Sequence, residues 1–248
     1  NIPRTLMASM DYSAPLRQGI VASLANPRIA AKAFGKMLQA SFSQNEFDRW
    51  FYELKVDPRY EIIQKTKLAV ADPHSPYLTA QEEAYMGNIV EKVPVIGSWL
   101  VKGSERAYVM YLNKMRVDLF NSFADKFEND GKTYENSKDL YDKMASYVNN
   151  QTGSWHLGKF ENFAPVLNAL LFSPRLMASR INMLNPVYFA RLPKELKVAY
   201  AKDMSIFIGA GIAVLGLALM AGGGGDDDDK LTVEWDPRSS DFGKIRHR

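Results

Sequence analysis

Apolar residues recur at three- and four-residue intervals along most of the chain, the spacing of one face of a helix. Leu16, Ile20, Val21 and Leu24 share such a face after Asp11-Tyr12-Ser13-Ala14-Pro15, which reads as a cap with Pro in the first turn. Asn26-Pro27 ends that helix, and Ile29, Ala33, Met37 and Ala40 line the next, so the pair predicts a packed helical hairpin. Phe47, Trp50, Phe51 and Leu54 continue the period, and Asp57-Pro58 opens a helix through Ile62, Ile63 and Leu68. Asp72-Pro73-His74-Ser75-Pro76 reads as a turn, with His74 a loop residue. Thr79-Ala80-Gln81-Glu82 then caps a helix reaching Lys92, and Gly97 predicts a bend in the apolar stretch 93–101.

The strongest periodicity lies between Ser104 and Glu128, where Tyr108, Leu112, Met115, Leu119, Phe123 and Phe127 form the apolar face. Arg106, Lys114, Arg116, Asp118 and Asp125 are expected to face water. Asn129-Asp130-Gly131 stops this helix, and Ser137 to Asn149 forms another with Leu140, Met144, Tyr147 and Val148 on one side. Helical signals resume at Phe160 with Phe163, Val166, Leu167, Leu170 and Leu171. Asn185-Pro186 interrupts them, and Leu192-Pro193-Lys194-Glu195 starts the last helix. Leu231 to Trp235 alternates with period two and predicts a short strand. The fold class expected is therefore mainly α: an irregular multi-helix bundle with short helices and a small C-terminal β-strand or hairpin element.

The last helix leads into Met204 to Ala221, eighteen positions without a charge. As a helix this stretch measures about 27 Å, close to the thickness of a bilayer core. It either enters a membrane or is buried on all sides by protein. Ile206, Val214 and Leu219 supply apolar surface, and Gly209, Gly211 and Gly216 suit close helix packing as readily as lipid. The expectation is burial in a bundle or oligomer in one state and membrane activity in another.

Composition narrows the chemistry. The chain has no Cys, which excludes disulfides and thiolate metal sites, and its three His (His74, His156 and His247) are scattered. The formal net charge of +3 is too small to imply nucleic acid by itself. No paired carboxylates, nucleophile with a base, or metal-ligand set stands at interpretable spacing, so an enzyme is the weaker class. Asp241-Phe242-Gly243 lacks the other kinase signatures. Asp226 to Asp229 has no calcium-loop spacing and reads as a solvated turn; with Lys230 it also spells a protease cleavage sequence. The loop Thr152-Gly153-Ser154-Trp155-His156-Leu157-Gly158 lacks the Lys-Ser/Thr ending of a phosphate loop and reads as a packing turn. Pro15 and Pro27 are spaced like Pro174 and Pro186, which predicts two similar helical corners. Three regions follow: a helical region over 1–150, a basic helical region over 151–221, and an acidic loop with an extended tail over 222–248. Asn1 and Arg248 read as the ends of a fragment.

Several stretches together carry a resemblance: residues 11–19, Phe172-Ser173-Pro174-Arg175 with Ala178-Ser179-Arg180, the glycine-rich apolar segment, and Asp236-Pro237-Arg238-Ser239-Ser240 through Ile245. Over about residues 5–245 the chain resembles a helical region of the large polyvalent proteins of phages and prophages, and of internal virion proteins ejected with the genome. Its loop at Trp155-His156 is less basic than the corresponding loop of such regions. The resemblance implies a non-enzymatic cargo protein, without cofactor, stored in the virion interior or portal–tail region and delivered to the host cell. Its expected partners are portal, tail or internal virion proteins, phage DNA and the host membrane, and an oligomer is plausible. Arg17, Arg28, Trp155, His156, Arg175, Arg180 and Arg191 are the candidate DNA or partner contacts. Between residues 151 and 202 seven Lys or Arg face two acids, a basic flank that suits positive-inside orientation or DNA phosphates. The alternative is a soluble helical accessory domain of a polyvalent protein that protects or accompanies incoming DNA.

Overall fold

A computed structural model describes residues 14–16, 18–71, 96–154, 174–222, 231–233 and 245–247. The described helices are α1 (Ile20–Ala25), α2 (Pro27–Phe42), α3 (Gln44–Lys55), α4 (Tyr60–Lys65), α5 (Ile96–Asn129), α6 (Lys138–Gln151), α7 (Pro174–Met183), α8 (Pro186–Arg191) and α9 (Lys194–Gly222). Two three-residue strands, β1 (Leu231–Val233) and β2 (Ile245–His247), pair antiparallel with Thr232 opposite Arg246. The chain divides into two compact units, Asn1–Tyr200 and Ala201–Arg248.

The expected fold class needs correction. The first unit is a mainly-α multi-helix bundle, and among its described residues there is no strand or hairpin. The strand predicted over Leu231 to Trp235 covers Leu231–Val233, in the second unit. Nor are the helices uniformly short, since α5 has 34 residues and α9 has 29. No proline falls between Ile96 and Asn129, so nothing forces a break, and α5 runs helically through Gly97 where a bend was expected.

Local chemistry sets the boundaries. Pro27 occupies the first turn of α2, where its missing N–H costs nothing. The Ser43 hydroxyl accepts from the Glu46 amide at 3.3 Å and caps α3. At the end of α5, Gly131 adopts φ +74°, the Lys132 amide bonds back to the Phe127 carbonyl at 2.8 Å, and the Gly131 amide bonds to Glu128 at 2.9 Å. This 6→1 and 5→2 pair is the Schellman ending, and a side chain at Gly131 would strain it.

Helix α5 is the axis of the bundle. Its apolar positions from Ala107 to Phe127 are buried, and α2, α3 and α6 pack on it. The closest approach is at Gly103, where a Cβ would stand 2.7 Å from the Ser41 carbonyl oxygen, so only glycine lets α2 and α5 meet there. One turn on, Arg106 donates to the carbonyls of Ala40 and Ser41 at 3.1 and 3.2 Å, placing a cation on the carbonyl end of α2.

Arg116 corrects a second expectation. It does not face water but is fully buried. Asp125 and Lys126 of α5 are exposed, but where other helices cover it a polar residue must find partners inside. Arg116 donates to the Ala69 carbonyl at 2.5 Å, to the Thr152 hydroxyl at 2.9 Å and to the Thr152 carbonyl at 3.4 Å. Asn113 exchanges two hydrogen bonds with the backbone of Ala71, at 2.8 and 2.9 Å. Asn149 accepts from the Ala69 amide at 2.8 Å and donates to the Lys67 carbonyl at 3.1 Å. Side chains of α5 and α6 thereby hold Lys67, Ala69 and Ala71, while the amides of Lys67, Leu68 and Val70 bond to nearby backbone carbonyls.

Asn113→Ala deletes two of these bonds and leaves the Ala71 amide and carbonyl buried without partners. It should destabilise the bundle by about 2–4 kcal/mol. Urea unfolding followed by circular dichroism measures this, and a loss below about 0.5 kcal/mol, the range of ordinary surface substitutions, would contradict the assignment.

Candidate functional site

Two features of the described residues can act on something outside the chain: the apolar length of α9, and a cleft where α6 meets α7 and α8. Helix α9 starts after Pro193, and its first turns are fixed within the bundle. Leu196 is fully buried, Lys132 and Glu195 form an ion pair, and the Tyr200 hydroxyl donates to the Met183 carbonyl. The Lys132 ammonium holds the Glu195 carboxyl below its usual range. Aromatic rings extend the fixation. Tyr200 lies 5.2 Å from Phe189, 6.3 Å from Tyr188 and 6.4 Å from Tyr147, and Tyr147 meets Phe123 of α5 edge-on at 6.0 Å.

Beyond Tyr200 the helix continues without interruption and loses its charges after Asp203. Residues Lys194–Leu217 have a mean hydropathy of 1.5, long and apolar enough to cross a membrane by length and composition. Ile208 is 52% exposed, Ile212 65%, Val214 59% and Leu217 66%. Ile206 is half-buried, and the side chain of Leu219 lies outside the described residues. A Cβ added at Gly209, Gly211 or Gly216 would meet nothing within 4 Å. Among the described residues, the glycines read as close-packing positions have no close neighbour.

The candidate contact residues do not assemble into one surface. Arg17, Trp155 and His156 lie outside the described residues. So do the turn with His74, the helices predicted over 79–92 and from Phe160, the acidic run 226–229 and the Asp241-Phe242-Gly243 triplet. Arg28 is exposed in the first turn of α2. Arg175 stands in the first turn of α7, with its side chain outside the description. Arg180 turns inward: it donates to the Gln18 carbonyl at 2.7 Å and lies 3.9 Å from the Met183 sulfur. Burial pulls its guanidinium down to about 10, still charged at neutral pH. This bond joins the two proline corners, although they differ in form. Ala14–Leu16 is a turn before a six-residue α1, whereas α7 begins at Pro174 and runs for ten residues.

Arg191 is exposed at the end of α8 and takes part in the cleft. The cleft has a volume of about 200 Å³ and is lined by Lys143 and Ser146 of α6 with Asn182, Asn185, Tyr188 and Arg191 from the α7–α8 corner. Asn185 caps α8 by accepting from the Val187 amide at 2.9 Å. Burial pushes the Tyr188 phenol up to about 12, so it stays protonated. Sequence reading named Arg191 alone of this group. Asn185-Pro186 read only as a break, and nothing in the local pattern ties Lys143 to residues some forty positions later. Among the described residues no three His, Asp or Glu side chains converge as metal ligands. Compared with known proteins, the chain matches no family model, no curated protein and no solved structure.

Because Arg180 is committed to Gln18, Arg180→Met should cost about 1–3 kcal/mol of stability. Its affinity for a duplex oligonucleotide, read by fluorescence anisotropy, should stay within about twofold. A loss of about tenfold in DNA affinity with unchanged stability would instead make Arg180 a phosphate contact.

Proposed function

We propose that this protein is a non-enzymatic membrane-engaging protein: a water-stable helical bundle that presents α9 for insertion into a lipid bilayer. The observation that carries this reading is the continuous α9, whose uncharged length is exposed at Ile208, Ile212, Val214 and Leu217. Large exposed apolar surface favours transfer out of water, and an unbroken helix satisfies its own backbone hydrogen bonds in lipid. Lys194, Lys197 and Lys202 precede the apolar length, and acids Asp226 to Asp229 follow it. Such an asymmetry orients a spanning helix with its N-terminal end on the cytoplasmic side.

The biological setting we propose is that of an internal virion protein. The resemblance of residues 11–19, 172–180 and 236–245 to phage polyvalent and ejected proteins supports it. In that setting the bundle is stored among portal, tail or internal proteins, travels with the genome into the host cell, and gives α9 a membrane on arrival. Within this setting a separate DNA contact has less support, because Arg180 serves the fold.

Liposome flotation tests the membrane step. The full chain should rise with vesicles of phosphatidylglycerol and phosphatidylethanolamine. Ile212→Lys, with a charge placed mid-helix at a cost of about 2.5–3.5 kcal/mol, should remain largely in the dense fraction. Its bundle should unfold at the wild-type midpoint, since Ile212 is exposed. Wild-type protein that stays in the dense fraction, or a variant that floats equally well, would refute the proposal.

A further inference from the structure

We infer that the cleft between α6 and the α7–α8 corner is a binding site for a phosphate monoester on a small organic group. This does not rest on the membrane reading, since every lining residue lies in the first unit, before α9 becomes apolar. The lining is chemically one-sided. Lys143 and Arg191 supply two positive charges, and no lining residue is acidic. The salt bridges among the described residues leave both cations out. Glu195, the acid nearest in sequence to Arg191, is held by Lys132.

The neutral groups have the same bias. The Asn182 side-chain nitrogen is buried without a hydrogen-bond partner. A buried amide donor left unpaired is costly, and a ligand acceptor would remove that cost. Ser146 and the protonated Tyr188 phenol also line the cleft, hydrogen-bonded to each other, so they bring hydroxyls and no negative charge. The side-chain oxygen of Asn185 is already used on the Val187 amide, which leaves its NH₂ as the available end. The walls thus offer chiefly donors and positive charge to whatever enters.

The complement is an oxyanion. Two cations are matched by about two negative charges, which a phosphate monoester carries near neutral pH and a single carboxylate does not. Charge-assisted bonds to its oxygens are the strong kind. Size narrows the class further. A cleft of about 200 Å³ is smaller than the roughly 300–1,000 Å³ typical of drug-sized ligands. It suits a phosphate on a three-carbon group such as glycerol, not a nucleotide with its base. Val187 and Leu192 complete the lining with apolar surface against which such a stem would lie. The same chemistry could come from a free glycerol phosphate or from the headgroup of a phosphatidic acid.

The test uses the full chain at constant ionic strength, with sn-glycerol 3-phosphate and with dioctanoyl phosphatidic acid below its micelle concentration. Each is compared with chloride in thermal unfolding and in titration calorimetry. At a ligand concentration about ten times Kd the wild-type midpoint should rise by about 3–6 °C. Lys143→Gln should weaken binding by about 10- to 100-fold and Lys143→Arg should retain it. Arg191→Gln, at an exposed residue, repeats the test at the other charge. Protection by glycerol phosphate assigns the site to a free phosphate ester, and protection by the short-chain lipid alone assigns it to a headgroup. No protection by either, or equal protection of both Gln variants and wild type, would overturn the inference.

Discussion

Residues 68–71, with Leu68 and Ala71 buried and Ala69 and Val70 half-buried, run between α5 and α6 with no described strand beside them. Their amides and carbonyls must nonetheless be paired, since an unpaired buried amide costs as much as a lost hydrogen bond. Asn113, Asn149 and Arg116 meet that requirement. Arg116 also reaches Thr152 at the end of α6, so one buried cation fixes the segment and the helix end together. Removing one partner of such a group is far more damaging than its net contribution suggests, because the remaining charge or amide stays buried. The position of α6 on α5 follows from this clamp, and α7 packs on α6 in turn.

From α6 the fixation passes through aromatic rings to the start of α9, by way of Tyr147, Tyr200, Tyr188 and Phe189. The consequence is a helix held firmly at one end whose remaining length is apolar. Leaving Ile208, Ile212, Val214 and Leu217 at their observed exposure forfeits roughly 3–6 kcal/mol of apolar transfer. Under the proposed function, a bilayer would recover that energy. The anion cleft uses the same corner that secures α9: Tyr188 meets Tyr200 at a tilt, ring centres 6.3 Å apart, and also lines the cleft.

Periodicity revealed the elements that present one face to a core. The faces of α2 and α3 stand where the spacing of Ala33, Met37 and Ala40, and of Phe47, Trp50, Phe51 and Leu54, places them. It misread part of α5, because where other helices cover it a charged residue is hidden too, and Arg116 looks like a surface residue until its partners at Ala69 and Thr152 are known. Those partners lie 47 and 36 positions away, beyond any local pattern. The apolar length of α9 was legible at once, but whether protein covered it was not. Coverage depends on tertiary packing, and Gly209, Gly211 and Gly216 suit both outcomes. The cleft was invisible for the same reason: Lys143 and Arg191 meet only after α6 and α8 have packed.

The central claim is that the exposed face of α9 passes from water into lipid while the bundle stays folded. The absence of cysteine makes a direct measurement possible, because a single introduced thiol can carry an environment-sensitive dye. With the dye at Ile212→Cys, adding vesicles of anionic phospholipid should shift its emission to the blue and shield it from an aqueous quencher. The same dye at Lys32→Cys, on the exposed side of α2, should report water throughout. A dye at position 212 that remains as quenchable with vesicles as without them would contradict the account.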